Sequence, residues 1–201
     1  MPRIDRLPSK APDSLRRIER ADLAVAGRLG SAQDHPAVKL LGEASEMADQ
    51  PPLIALSLGA VAAGLLLRRP TLALAGVRML ATHAVATGLK TAVKRTVDRT
   101  RPHVLTEEGK YVVRKGNTHG SRYNSFPSGH TAGAVAVAEA IARTEPRAAW
   151  PARGWAAAIA AIQVPRGAHF PSDVAVGAAI GFAADRIVRL AEKALGALAA
   201  R

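Results

Sequence analysis

The chain has 201 residues, no cysteine and a formal net charge of +12, so disulfides, thiolate nucleophiles and cysteine-ligated zinc are excluded and one domain with a sizeable core is allowed. Hydrophobic residues make up 48% but aromatics only 3%, a mix rich in Ala, Gly and Leu that suits closely packed helices better than a β-sandwich. The positive surplus calls for an anionic partner such as phosphate or anionic lipid head groups; no nucleic acid is expected, because no stretch interleaves aromatics with Arg or Lys.

Residues 1–13 hold three prolines and scattered charge and read as a loose tail. The charged start has no apolar run behind it, so it is not a signal peptide. A helix is predicted from Asp13 or Ser14, one of them its N-cap. It carries Leu15, Ile18, Leu23, Val25 and Leu29 among charges, amphipathic as for a membrane surface, a partner groove or an ordinary solvent-facing helix. A second short helix is predicted over 36–48, stopping before Pro51-Pro52.

From there the chain turns apolar. Residues 52–67 are uncharged and end at Arg68-Arg69-Pro70, and a longer run covers 71–95. Three shorter helical runs follow at 131–142, 155–164 and 174–188, and no strand signal is visible. Only 71–95 clearly has the roughly 20 residues a membrane span needs. Hydropathy alone therefore leaves a membrane bundle and a set of buried soluble helices both open. The chain divides into an N-terminal region, 1–50, and a main domain, 51–201. With five spans, 90–130 and 165–173 fall on the same side of the membrane.

Those two segments hold the residues with chemistry. Lys94 and Arg101 are seven apart in "KTAVKRTVDRTRPH" (90–103). On one helix they share a face, with Lys90 a turn earlier and Pro102 as the stop. Such a basic helix end fits a phosphate clamp or a snorkelling cluster at a membrane edge. The tripeptide Phe-Pro-Ser then occurs twice, in "FPSGH" (126–130) and "HFPSD" (169–173). Ser128 is a natural N-cap, Gly129 allows a close backbone approach, and His130 sits in the first turn, where anions bind. In the second copy Ser172 is predicted as N-cap. Asp173 lies four residues after His169, within reach of a hydrogen bond that fixes its tautomer and leaves the other nitrogen as nucleophile or base.

An antiparallel bundle brings the three segments to one face. Cations and helix N-termini bind phosphate there, one histidine attacks and the other protonates the leaving oxygen. His130, His169 and Asp173 also form a possible metal set, but the surrounding positive charge argues against a dication. The reading is metal-independent phosphoryl transfer without a cofactor.

In these motifs the chain resembles the type 2 phosphatidic acid phosphatase (PAP2) family, which shares its core with bacterial acid phosphatases and vanadium haloperoxidases. Its first motif, Lys, six residues, Arg-Pro, is matched by Lys94 to Arg101-Pro102. Pro127-Ser128-Gly129-His130 matches the second. His169 and Asp173 match the end of the third, Ser-Arg, five residues, His, three residues, Asp. The resemblance implies an all-α membrane helical bundle, here of about five spans with N-terminal amphipathic helices, placed in the cell membrane as a multi-pass protein. It implies that Lys94, Arg101 and the backbone at Ser128 and Gly129 hold phosphate, that His169 forms a phosphohistidine oriented by Asp173, and that His130 is the acid. One position departs from the pattern: Gln163 stands where the family has arginine, with Arg166 a possible substitute. Loss of one charge-assisted phosphate contact costs about 1.5–3 kcal/mol. The expected substrate is a lipid phosphate or diphosphate: prenyl diphosphate, prenyl-phosphosugar, phosphatidic acid or phosphatidylglycerol phosphate. The loop 103–124, with Lys110, Arg114, Lys115 and Arg122, is expected to select the head group. A non-catalytic lipid-phosphate binder and a soluble acid phosphatase relative are the alternatives.

Overall fold

The computed structural model describes residues 4–5, 11–116, 118 and 120–200; most of the predicted tail lies outside them. After the two-residue strand β1 (Ile4–Asp5), α1 spans Asp13–Leu29 and α2 spans Pro36–Ala44, extended by a 3-10 turn over Ser45–Ala48. Then come α3 (Gln50–Leu66), α4 (Pro70–Lys94), β2 (Val97–Arg99), α5 (Pro102–Glu108), β3 (Tyr111–Lys115), α6 (Gly129–Thr144), α7 (Ala149–Ile162) and α8 (Pro171–Ala199). The mostly helical architecture agrees with the sequence; several local details do not.

Helix α1 has Pro12 rather than Asp13 or Ser14 as its N-cap. The predicted helix over 36–48 is present as α2 and its 3-10 extension and ends before Pro51-Pro52, which fall in the first turn of α3, because proline fits the first turn, whose N–H groups have no partner anyway. The same rule corrects the predicted stop at Pro102: α4 already ends at Lys94, and Pro102 begins α5. Lys94 and Arg101 therefore do not share a helix face; β2 lies between them. That strand pairs antiparallel with β3, and β1 pairs parallel on β3's other side, in the order β1-β3-β2. Strands of two to five residues are too short to show a period-2 pattern in the sequence. The predicted loop 103–124 thus holds α5 and β3.

Helix α6 runs through the centre, packed against α4, α7 and α8. Ten of its sixteen residues are buried, seven of them Ala or Gly, so its neighbours come close. Gly181 on α8 shows how close: a Cβ there would sit 2.9 Å from the Ala132 carbonyl oxygen. Leu56, Leu58, Leu65, Leu66, Phe182 and Leu190 turn outward on α3 and α8. Such an apolar exterior suits lipid. Among the described residues one helix, α4, is long and apolar enough to cross a membrane, with a second span only if residues 36–48 and α3, bent by 56°, count together. Helices α6 and α7 have 16 and 14 residues, short of the roughly 20 a full crossing takes.

Candidate active site

Four chain segments meet at one end of the bundle: the end of α4, the turn before α5, the start of α6 and the turn before α8. The residue that ties them together is Ser125. Its backbone N–H donates to the Arg99 carbonyl (3.1 Å) and its hydroxyl to the Asp173 carboxylate (2.6 Å). Its carbonyl lies 2.6 Å from His169 Nδ1. A carbonyl can only accept, so Nδ1 carries the proton and Nε2 keeps the lone pair. Burial, then Arg101 and Lys94, push His169 well below its ordinary value of 6.5, so the ring is neutral near pH 7.

This corrects the predicted His169–Asp173 bond: the two side chains are 3.9 Å apart, too far for a hydrogen bond. Asp173 instead accepts from the Phe170 N–H at 2.8 Å. That contact also overturns Ser172 as N-cap. Phe170 holds the cap position of α8, Pro171 follows, and the Asp173 carboxylate reaches back to the Phe170 N–H, a capping-box bond made by Asp.

At the first Phe-Pro-Ser the prediction stands: Ser128 caps α6, its hydroxyl oxygen accepting from the Thr131 N–H. The two copies also meet, since the Ser128 N–H donates to the Asp173 carbonyl at 3.0 Å. Gly177 permits this, because a Cβ there would lie 2.6 Å from the Ser128 carbonyl oxygen. A Cβ at Gly129 would meet Lys90 Nζ at 3.3 Å, which places that ammonium beside the α6 N-terminus. Lys94 Nζ donates to the Asn124 carbonyl at 3.2 Å. Arg101 is held by backbone, its N–H on the Arg122 carbonyl, and its buried Nε has no partner among the described residues.

His130 Nε2 lies 3.3 Å from the Glu46 carboxylate, an interaction the sequence did not suggest. Glu46 also takes Arg166 Nη2 at 2.6 Å, while Arg166 Nη1 donates to the Gly42 carbonyl and Ser45 Oγ at 2.7 and 2.5 Å. The substitute arginine is thus engaged by the turn after α2. Gln163 is fully buried beneath it, Nε2 on the same Ser45 Oγ at 3.2 Å and on the Ile159 carbonyl at 3.0 Å. Its backbone carbonyl accepts from the His169 N–H at 3.1 Å, so the position still supports His169. Glu46, Asp49 and His130 point ligand atoms within 4.8 Å of one another. A cation there would compete with the Arg166–Glu46 ion pair.

Arg99 is the other residue that sequence reading missed. Its Nη1 donates to Asp173 at 2.7 Å and its Nη2 to Asp22 of α1 at 2.8 Å, and its guanidinium stacks 4.1 Å above the Phe170 ring. Burial opposes its charge, but Asp173, Tyr111 and Asp22 outweigh that and raise its value.

A family model described as the PAP2 superfamily matches residues 75–195. No curated protein matches the chain. Among solved structures, a transmembrane PAP2-type phosphatidylglycerolphosphate phosphatase from Bacillus subtilis is similar at TM-score 0.63 and 20% identity, over 88% of this chain and 87% of that one. LpxE from Aquifex aeolicus is similar at TM-score 0.62 and 22% identity, over 82% and 92%.

Proposed function

This chain belongs to the PAP2 superfamily of phosphatases, and from that premise we propose that it removes phosphate from a lipid phosphate or diphosphate through a phosphohistidine at His169. The observation that carries this is the 2.6 Å contact of His169 Nδ1 with the Ser125 carbonyl, which makes Nε2 the nucleophile of a neutral imidazole. Lys94, Arg101 and the α6 N-terminus at Ser128 and Gly129 hold the phosphate oxygens and take up charge in the transition state. His130 protonates the leaving oxygen, and Glu46 holds its ring in place. Asp173 acts on His169 through Ser125 and the Phe170 N–H rather than by direct contact. Arg166 positions Glu46 instead of binding phosphate.

The apolar exterior supports a multi-pass membrane protein built on residues 51–201, with the lipid tail beside the helices and the head group at the basic end. The similarity to a phosphatidylglycerolphosphate phosphatase supports a glycerol-based lipid phosphate among the candidate substrates. Detergent-purified protein is assayed for phosphate release in EDTA from a prenyl diphosphate, a prenyl-phosphosugar, phosphatidic acid and phosphatidylglycerol phosphate. Wild type should release phosphate from at least one of them. Lipid-phosphate binding without release from any would favour the non-catalytic reading.

A further inference from the structure

We propose that Asp22, on α1 and outside the residues that the family model matches, is a positioning residue for phosphoryl transfer, setting Asp173 through Arg99 and thereby the orientation of His169. The inference rests on the reading of His169 as nucleophile.

Helix α1 turns Glu19, Asp22 and Ala26 inward and leaves Leu15 and Ile18 about half exposed. The Asp22 carboxylate accepts from Arg99 Nη2 at 2.8 Å, from the Ser172 N–H at 3.0 Å and from the Ser172 hydroxyl. Arg99 Nη1 then grips Asp173 Oδ1 at 2.7 Å, and the other Asp173 oxygen takes the Ser125 hydroxyl and the Phe170 N–H. From Ser125 the next contact is His169 Nδ1. Each link is a charge-assisted or buried hydrogen bond, so a displacement at one end is not absorbed by solvent.

Charge explains why a carboxylate is needed at Asp22. The side chains of Asp22, Arg99 and Asp173 are 3%, 6% and 0% exposed. Buried ion pairs of this kind are weak sources of stability, since apolar residues of similar volume often serve as well. What the second carboxylate does is divide the pull of Arg99. Without it the guanidinium keeps the Ser172 and Tyr111 hydroxyls but has Asp173 as its single carboxylate, and Asp173 loosens its hold on Ser125 and Phe170. The Ser172 N–H in the first turn of α8 also loses its acceptor.

The test is Asp22→Asn, which keeps the shape and an acceptor for the Ser172 N–H but removes the charge; Asp22→Ser, with room for a water, serves if the Asn variant does not fold. In detergent, kcat should fall about ten- to a hundredfold with KM nearly unchanged. Nitrogen-15 imidazole NMR reads His169 directly. Its charged neighbours are Lys94 from α4, Arg101 before α5, His130 from α6 and Asp173 from α8, with Arg99 behind. Removing a nearby negative charge should lower its titration midpoint, whereas Asp22→Glu, which keeps the charge, should lower it less. Unchanged kcat and an unchanged His169 titration in Asp22→Asn would overturn the proposal. So would equal losses in the Asn and Glu variants with no titration shift, the mark of a purely structural role. Should wild type release no phosphate from any lipid tried, the proposed function is what fails, and the His169 titration still decides the coupling.

Discussion

At the end of the bundle away from the histidines, Arg78, Arg143 and Arg153 each close on carboxylates: Arg78 and Arg143 on Glu192, Arg143 also on Asp185, and Arg153 on Glu139. At the histidine end Arg99 and Arg166 are also paired, but Lys94 reaches a backbone carbonyl and, among the described residues, neither Lys94 nor Arg101 has a carboxylate in ion-pair range. Both ends are basic, but Arg78, Arg143 and Arg153 are paired within the fold, whereas among the described residues Lys94 and Arg101 are cations in no ion pair. Paired charges join helices; cations without a carboxylate beside a neutral imidazole are a place for an anion that arrives from outside. The +12 surplus of the sequence gives no hint of that division, because net charge does not show which charges have partners.

The two ends should respond differently to substitution. The largest effect is expected from His169→Ala, which removes the proposed nucleophile and should lower kcat by about 10⁴-fold or more with the fold intact by circular dichroism. Arg101→Ala should cost about ten- to a hundredfold in kcat/KM and weaken inhibition by inorganic phosphate. Arg143→Met at the other end should leave kcat and KM alone but destabilise the protein by about 1–3 kcal/mol, read as a lower thermal midpoint, because Asp185 and Glu192 lose a partner. A large kinetic loss from Arg143→Met, or none from Arg101→Ala, would erase the distinction between the ends.

The smallest effect is one of pH. His169 titrates well below 6.5 in the folded protein, from burial and from Arg101 and Lys94, while an unfolded histidine titrates near 6.5. Below 6.5 the unfolded chain binds the proton first. The contribution of His169 to stability is therefore complete above about pH 6.5 and is lost as the pH falls toward the folded value. The acid limb of kcat/KM that His169 sets should likewise lie below 6.5.

What the sequence made legible follows from how local each feature is. Ser128 as a cap, the long apolar helix and the gathering of two histidines near two basic residues depend on spacings within a few residues or on bundle topology. The two Phe-Pro-Ser copies look alike in sequence yet work in opposite ways: in the first the serine caps the helix, in the second the aspartate does, because Pro171 takes the first helical position and moves the cap back to Phe170. Asp22, Glu46 and Arg99 were invisible because their partners lie 77, 84 and 74 positions away along the chain. Lys94 and Arg101 were assigned to one helix because their spacing fits two turns, but a three-residue strand intervenes.

If His169 Nε2 attacks phosphorus, an enzyme trapped in mid-reaction carries phosphate on that ring. Wild-type protein is mixed with a ³²P-labelled lipid phosphate that it hydrolyses, quenched in alkali within one turnover, and assayed for label on protein. An acid-labile, alkali-stable label, as a phosphohistidine gives, is expected on the peptide containing His169 and none in His169→Ala. Label on any other residue, or full turnover by His169→Ala, would contradict attack by His169.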